Sequence, residues 1–132
     1  MIDFSLSSEQ RILQAKVRLF AEETVRPLVE KVDKETDPQE RFLLYKAAYE
    51  KAAELGLTFG HIPKEYGGMG LGAMDAAIVI EELSAVDPAF PLYNDLAQIP
   101  IILFGTKDQK AKWLKEPLER IAEGRITFVV TG

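Results

Sequence analysis

The stretch GLTFGHIPKEYGGMGLG, residues 56–72, holds six glycines and one proline between two segments of strong helical patterning. A glycine inside a helix costs about 1 kcal/mol relative to alanine, so the stretch reads as a loop. It also carries Leu57, Phe59, Ile62, Tyr66, Met69 and Leu71, apolar bulk that a flexible linker has no use for. The expectation is an ordered connection laid across a helical core. Gly67, Gly68 and Gly70 are expected to supply positive φ angles or close approach of backbone.

Upstream, Ser7-Ser8-Glu9-Gln10 has the Ser-x-x-Gln spacing of a capping box, and Leu13, Val17, Phe20, Val25 and Leu28 follow on one face. Pro27 has no amide hydrogen to donate, which predicts a kink or break in that helix. Asp37-Pro38 marks a turn, and a second helix over 39–55 turns Phe42, Tyr45, Ala48, Tyr49 and Ala52 inward. Gly56 stands where a left-handed residue would end it.

Downstream, AMDAAIVIEELSAV (73–86) is the most apolar helix and is expected at the centre. Asp87-Pro88 ends it and opens the next helix with Asp87 as N-cap, running to Leu103 with a bend at Pro100. Gly105 closes that helix, and Thr106-x-x-Gln109 repeats the capping-box spacing before an inner face of Trp113, Leu114, Leu118 and Ile121. Pro117 divides this last helix and Gly124 ends it. ITFVVT, 126–131, reads as a strand. A single strand cannot satisfy its own backbone groups, so the expectation is a fragment of a longer protein or a piece completed by another polypeptide.

A chain of 132 residues fits one domain. Its net charge of -5 and pI near 5.0 disfavour nucleic acid as a partner. With no cysteine and one histidine, His61, disulfides, thiolate metal sites and multi-histidine sites within the chain are excluded. The apolar runs 76–80 and 99–104 fall far short of the roughly 20 residues of a membrane span. MIDFSLSSEQ lacks the features of a signal or transit peptide, so the expected location is cytoplasmic. Glu81 and Glu82 are read as a solvated face, since adjacent helical positions cannot flank a scissile glycosidic bond. Asp95 and His61 are read as surface residues. The glycine stretch lacks both the GxGxxG after a strand and the GK[ST] ending of a phosphate cradle.

The ordered set Arg26-Pro27, Ala53-Glu54-Leu55-Gly56, Ile62-Pro63-Lys64-Glu65-Tyr66-Gly67-Gly68-Met69-Gly70, Glu81-Glu82-Leu83, Gln98-Ile99-Pro100-Ile101, Gly105-Thr106 and Trp113-Leu114 with Gly124 spans nearly the whole chain. It resembles the N-terminal helical domain of flavin-dependent acyl-CoA dehydrogenases, with Tyr-Gly-Gly-x-Gly the most specific element. The resemblance implies an all-α, up-and-down helical bundle over 1–124, followed at 125–132 by the first strand of a middle β-domain. A C-terminal helical domain and assembly as a homo-oligomer, usually a homotetramer, are implied too. FAD would lie between the domains. A carboxylate base would remove the α-proton of an acyl-CoA while the β-hydride passes to the flavin, and electrons would leave to an electron-transfer flavoprotein, placing the protein in fatty acid metabolism.

By the same resemblance Phe128, Val130 and Thr131 match the start of the strand that bonds the flavin, with Gly132 where glutamate is common. Ala89, Leu92, Tyr93 and Leu96 match the acyl end of the substrate slot. At the residue level these apolar positions are equally readable as packed core, and Thr131 as an ordinary strand residue. The family's base lies in the C-terminal domain, so no catalytic residue is named. Two further readings stand beside this one: a non-catalytic helical interaction module or subunit pairing with a catalytic chain, and a small-ligand-binding bundle.

Overall fold

The computed structural model describes residues 5–90 and 98–123. The expected strand at 126–131 lies outside them. Helix α1, Ser8–Phe20, starts as its sequence dictates: the Ser7 hydroxyl accepts the Gln10 amide hydrogen, and the Gln10 side chain accepts that of Ser7. The reciprocal pair satisfies two backbone donors at the helix start.

The helix does not break at Pro27. It widens instead: Ala21–Val25 form a π-helical turn in which the Arg26 amide donates to Ala21 O, five residues back. Helix α2, Arg26–Lys34, then restarts with Pro27 in its first turn, where a missing N–H forfeits nothing. The device recurs near the other end of the chain. Helix α6, Lys107–Lys110, capped reciprocally by Thr106 and Gln109, runs into a π turn at Ala111–Lys115. There the Glu116 amide donates to Ala111 O, and α7, Glu116–Ala122, carries Pro117 as its second residue. In both places the proline follows by six residues the alanine that opens the wide turn.

Helix α3, Pro38–Glu54, is capped by Asp37, whose Oδ1 accepts from the amides of Gln39 and Glu40. Gly56 ends it at φ 76°, as expected, and Lys16 of α1 donates to the Leu55 carbonyl oxygen at 2.9 Å, placing a cation at the negative end of the helix dipole. Helix α4, Ala73–Ser84, lies along α1, and α3 lies along α2. Helix α5, Gln98–Phe104, follows. The architecture is an all-α, up-and-down bundle. Among the described residues, no helix is long and apolar enough to cross a membrane.

Two apolar clusters hold the bundle. The larger joins Val17, Phe20, Val25, Ala52, Leu83 and Phe90; the smaller joins Ala53, Phe59, Ile62 and Leu114, with Ile101 and Leu118 packed against it. Consecutive residues of α3, Ala52 and Ala53, face different clusters, so α3 is the wall they share. Burying a leucine such as Leu83 or Leu114 contributes about 1.5–3 kcal/mol relative to leaving it exposed.

The glycine stretch is what bridges the clusters. Leu57 enters the larger one, Phe59 and Ile62 the smaller, and Leu71 packs back on the larger. Two short 3-10 turns, Leu57–Phe59 and Lys64–Tyr66, shape it, and it closes on itself where the Gly70 amide donates to Ile62 O and the Leu71 amide to Gly60 O. Gly67 and Gly70 take φ values of 90° and 62°, and a Cβ at Gly68 would stand 2.0 Å from Ile62 O. All three expectations for these glycines hold.

Two expected inward residues point outward. Phe42 is 38% exposed, because Phe42-Leu43-Leu44-Tyr45 puts four bulky apolar residues into one helical turn, and one face cannot take them all. Trp113 is 46% exposed: it lies in the second π turn, where Leu114 takes the inward position.

Candidate functional site

Where α4 ends, the chain turns sharply, with the amides of Val86 and Asp87 both donating to Leu83 O. The next turn, residues 87–90, is organised by the Asp87 carboxylate. Its Oδ1 accepts the Ala89 amide hydrogen at 2.9 Å, and its Oδ2 accepts the Tyr45 hydroxyl of α3 at 2.7 Å. Asp87 is buried, and Phe90 is fully buried against Phe20 and Tyr45, with ring centroids 6.1 and 6.5 Å away. Pro88 and Ala89 between them are exposed. Asp87 thus caps the 87–90 turn and is also tied across the bundle to α3; the helix expected to open there would run into residues outside those described.

At the start of α5, Gln98 is buried and its Nε2 donates to Thr58 O at 2.8 Å. Gln98 Oε1 and Thr58 Oγ1 are closed to solvent with no hydrogen-bond partner. Nearer the middle of the bundle, Arg18 of α1 grips Glu82 of α4 with two bonds, Nε to Oε2 at 2.8 Å and Nη2 to Oε1 at 2.7 Å. The Arg18 hydrogen bond holds the Glu82 carboxyl below the usual carboxylate range, against a burial that opposes it. Glu82 is thus buried and paired, against the expectation that it lies with Glu81 on a solvated face; Glu81 is exposed.

Of the residues assigned to the acyl slot, Ala89 stands exposed on the 87–90 turn; Leu92, Tyr93 and Leu96 lie outside the described residues, as do Phe128, Val130 and Thr131, assigned to the flavin. The buried polar atoms without partners, Gln98 Oε1 and Thr58 Oγ1, are closed to solvent and present no open edge to a flavin. Among the described residues, no three acidic or histidine side chains converge on a metal position.

Sequence reasoning missed three polar anchors. Glu82 follows Asp75, Ile78 and Val79 at helical spacing, a stripe that includes the buried Ile78 and Val79, which was the available signal. Gln98 is the only polar residue in LAQIPIILF, 96–104. Nothing local could have paired Tyr45 with Asp87.

The family model for the N-terminal domain of acyl-CoA dehydrogenases matches residues 7–120. The chain belongs to this family. An acryloyl-CoA reductase (NADH) of Anaerotignum propionicum is 36% identical over 117 residues, covering 86% of this chain and 28% of the relative. An isobutyryl-CoA dehydrogenase, mitochondrial, of Dictyostelium discoideum is 33% identical over 132 residues, covering 96% and 30%. Among solved structures, a Podospora anserina nitroalkane oxidase superposes with a TM-score of 0.78 at 28% identity, covering 90% of this chain and 29% of that one. An electron transferring flavoprotein structure from Acidaminococcus fermentans gives 0.73 at 34% identity, covering 94% and 31%. The chain spans less than a third of the length of these relatives. This acyl-CoA dehydrogenase N-terminal domain is thus matched from the cap of α1 into α7, the 87–90 turn included.

Proposed function

We propose that the chain is part of an FAD-dependent acyl-CoA dehydrogenase, which oxidises the Cα–Cβ bond of an acyl-CoA thioester to the enoyl-CoA, and that its helices form one wall of the acyl and flavin cleft. The observation that carries the reading is the family match across residues 7–120, which includes the exposed Ala89 on a turn clamped from both sides. Ala89, with Leu92, Tyr93 and Leu96, would present apolar surface to the acyl chain and keep water from the carbons that react. Phe128, Val130 and Thr131 would contribute to holding the FAD, together with the remaining domains of the same protein. Other partners on this reading are an electron-transfer flavoprotein and further copies in a homotetramer, and the setting is cytoplasmic fatty acid metabolism.

The test is expression of the intact reading frame, its absorption spectrum, and dye reduction with a series of acyl-CoA thioesters. Yellow protein that reduces dye with an acyl-CoA supports the reading; colourless protein inert toward every thioester sinks it. A second reading has one observation in its favour: a relative 36% identical is named an NADH-dependent acryloyl-CoA reductase. If the bond is instead reduced, the same preparation consumes NADH with an enoyl-CoA and reduces no dye with the saturated thioester.

A further inference from the structure

The 87–90 turn is held more firmly than a connection between helices requires. Both oxygens of the Asp87 carboxylate are engaged, Oδ1 by its own turn through the Ala89 amide and Oδ2 by the Tyr45 hydroxyl, forty-two residues away in sequence. The carboxylate is buried, and these two donors are neutral groups, a phenol and an amide. Burying a carboxylate costs stability unless its hydrogen bonds repay the lost hydration, so a bundle needing only cohesion gains more from an apolar pair of the same size. What the arrangement does deliver is position. Phe90 wedges one side of the turn between Phe20 and Tyr45, the carboxylate fixes the other, and the two residues between them, Pro88 and Ala89, are left facing outward on a rigid footing.

We infer that Tyr45 and Asp87 are positioning residues that set the depth of the acyl slot by fixing where Ala89 stands. The inference rests on the proposed acyl-CoA dehydrogenase reading and deepens it. Neither residue touches substrate; each acts through Ala89. Their loss lets the turn drift, and a drift at the acyl end of the proposed slot penalises the acyl chain long enough to reach it and spares shorter ones.

The experiment uses the full-length protein and compares kcat/KM for the longest and shortest acyl-CoA thioesters that the wild type oxidises, with the flavin spectrum and melting temperature recorded alongside. Tyr45→Phe removes the donor to Oδ2 and should lower the long-to-short ratio about threefold or more, since small misplacements are costly to positioned reactants. Asp87→Ala should do the same, while Asp87→Asn should keep the wild-type ratio, because its amide oxygen still accepts from Ala89 and its NH2 reaches the Tyr45 oxygen. A ratio unchanged in Tyr45→Phe and Asp87→Ala, with only the melting temperature lowered, overturns the inference and leaves the enzyme reading standing. Should Tyr45→Phe fail to fold, Asp87→Ala and Asp87→Asn decide it, equal ratios in the two counting against positioning. A wild type that oxidises no acyl-CoA overturns both readings together.

Discussion

A side chain at position 68 has nowhere to go: its Cβ would stand 2.0 Å from Ile62 O and 2.5 Å from Ile62 Cβ, both fixed by the smaller cluster. Gly68→Ala should therefore destabilise by about 1–3 kcal/mol, as forced overpacking does, read as a lower urea midpoint by circular dichroism. Gly72 is the opposite case. It caps α4 at φ -73° and ψ 172° with no side chain to bond the helix start and open space around it, almost the backbone of Ser7 (φ -64°, ψ 167°) and Thr106 (φ -66°, ψ 166°), which both form reciprocal caps. Gly72→Ser should raise stability by about 0.5–1 kcal/mol, through a new cap and a less flexible unfolded chain. The Arg18–Glu82 pair gives a pH-dependent case. Because the folded state lowers the carboxyl of Glu82, its contribution is complete above the unfolded glutamate range and drains away as pH falls through the lowered folded value. Glu82→Gln should thus melt below wild type at pH 7, and the gap should narrow on acidification below the ordinary glutamate range; a gap independent of pH would assign the effect to shape and not to charge.

Prolines inside a helical pattern have two outcomes, a kink or a wide turn, and the choice is made by packing. Here α1 lies on α4 and α2 on α3, so both halves of the first hairpin arm must keep their apolar faces in phase across Pro27. A π turn adds one residue to the helix and restarts it, which moves the proline into a first turn without turning α2 away from its neighbour. Deleting the exposed Glu23 should restore an uninterrupted α-helix in phase on both sides, but with Pro27 in its interior at a cost of about 3 kcal/mol. Combining the deletion with Pro27→Ala should recover most of that cost, a coupling that urea denaturation of the four proteins measures directly. Deleting Lys16 instead turns Val17 and Phe20 about 100° from the core and should abolish cooperative unfolding. Caps, by contrast, were legible: Ser7 and Thr106 accept where the sequence placed them, because a cap is local chemistry within four residues, and Asp37, read only as a turn, proves to cap α3 as well. The wide turns were not, because they answer to contacts between helices.

At the scale of the molecule the glycine stretch decides how the parts depend on each other. Its apolar residues enter both clusters, and α3 faces both through Ala52 and Ala53, so neither cluster has a boundary of its own. That role was readable from glycines alternating with large apolar residues; the Tyr45–Asp87 tie was not, since it joins helices that no short-range pattern relates. The consequence is testable with the one tryptophan, Trp113, which stands next to the fully buried Leu114 of the smaller cluster with the Lys112 ammonium 5.2 Å from its ring. Its fluorescence reports that cluster, and far-ultraviolet circular dichroism reports all the helices. If the bridge couples the clusters, the two signals should share one urea midpoint, as a two-state domain requires. Leu114→Ala should then lower that common midpoint by an amount worth about 2–5 kcal/mol while the signals stay coincident. A fluorescence transition that moves ahead of the circular dichroism would mean that the smaller cluster unfolds alone, with the glycine stretch a tether and not a bridge.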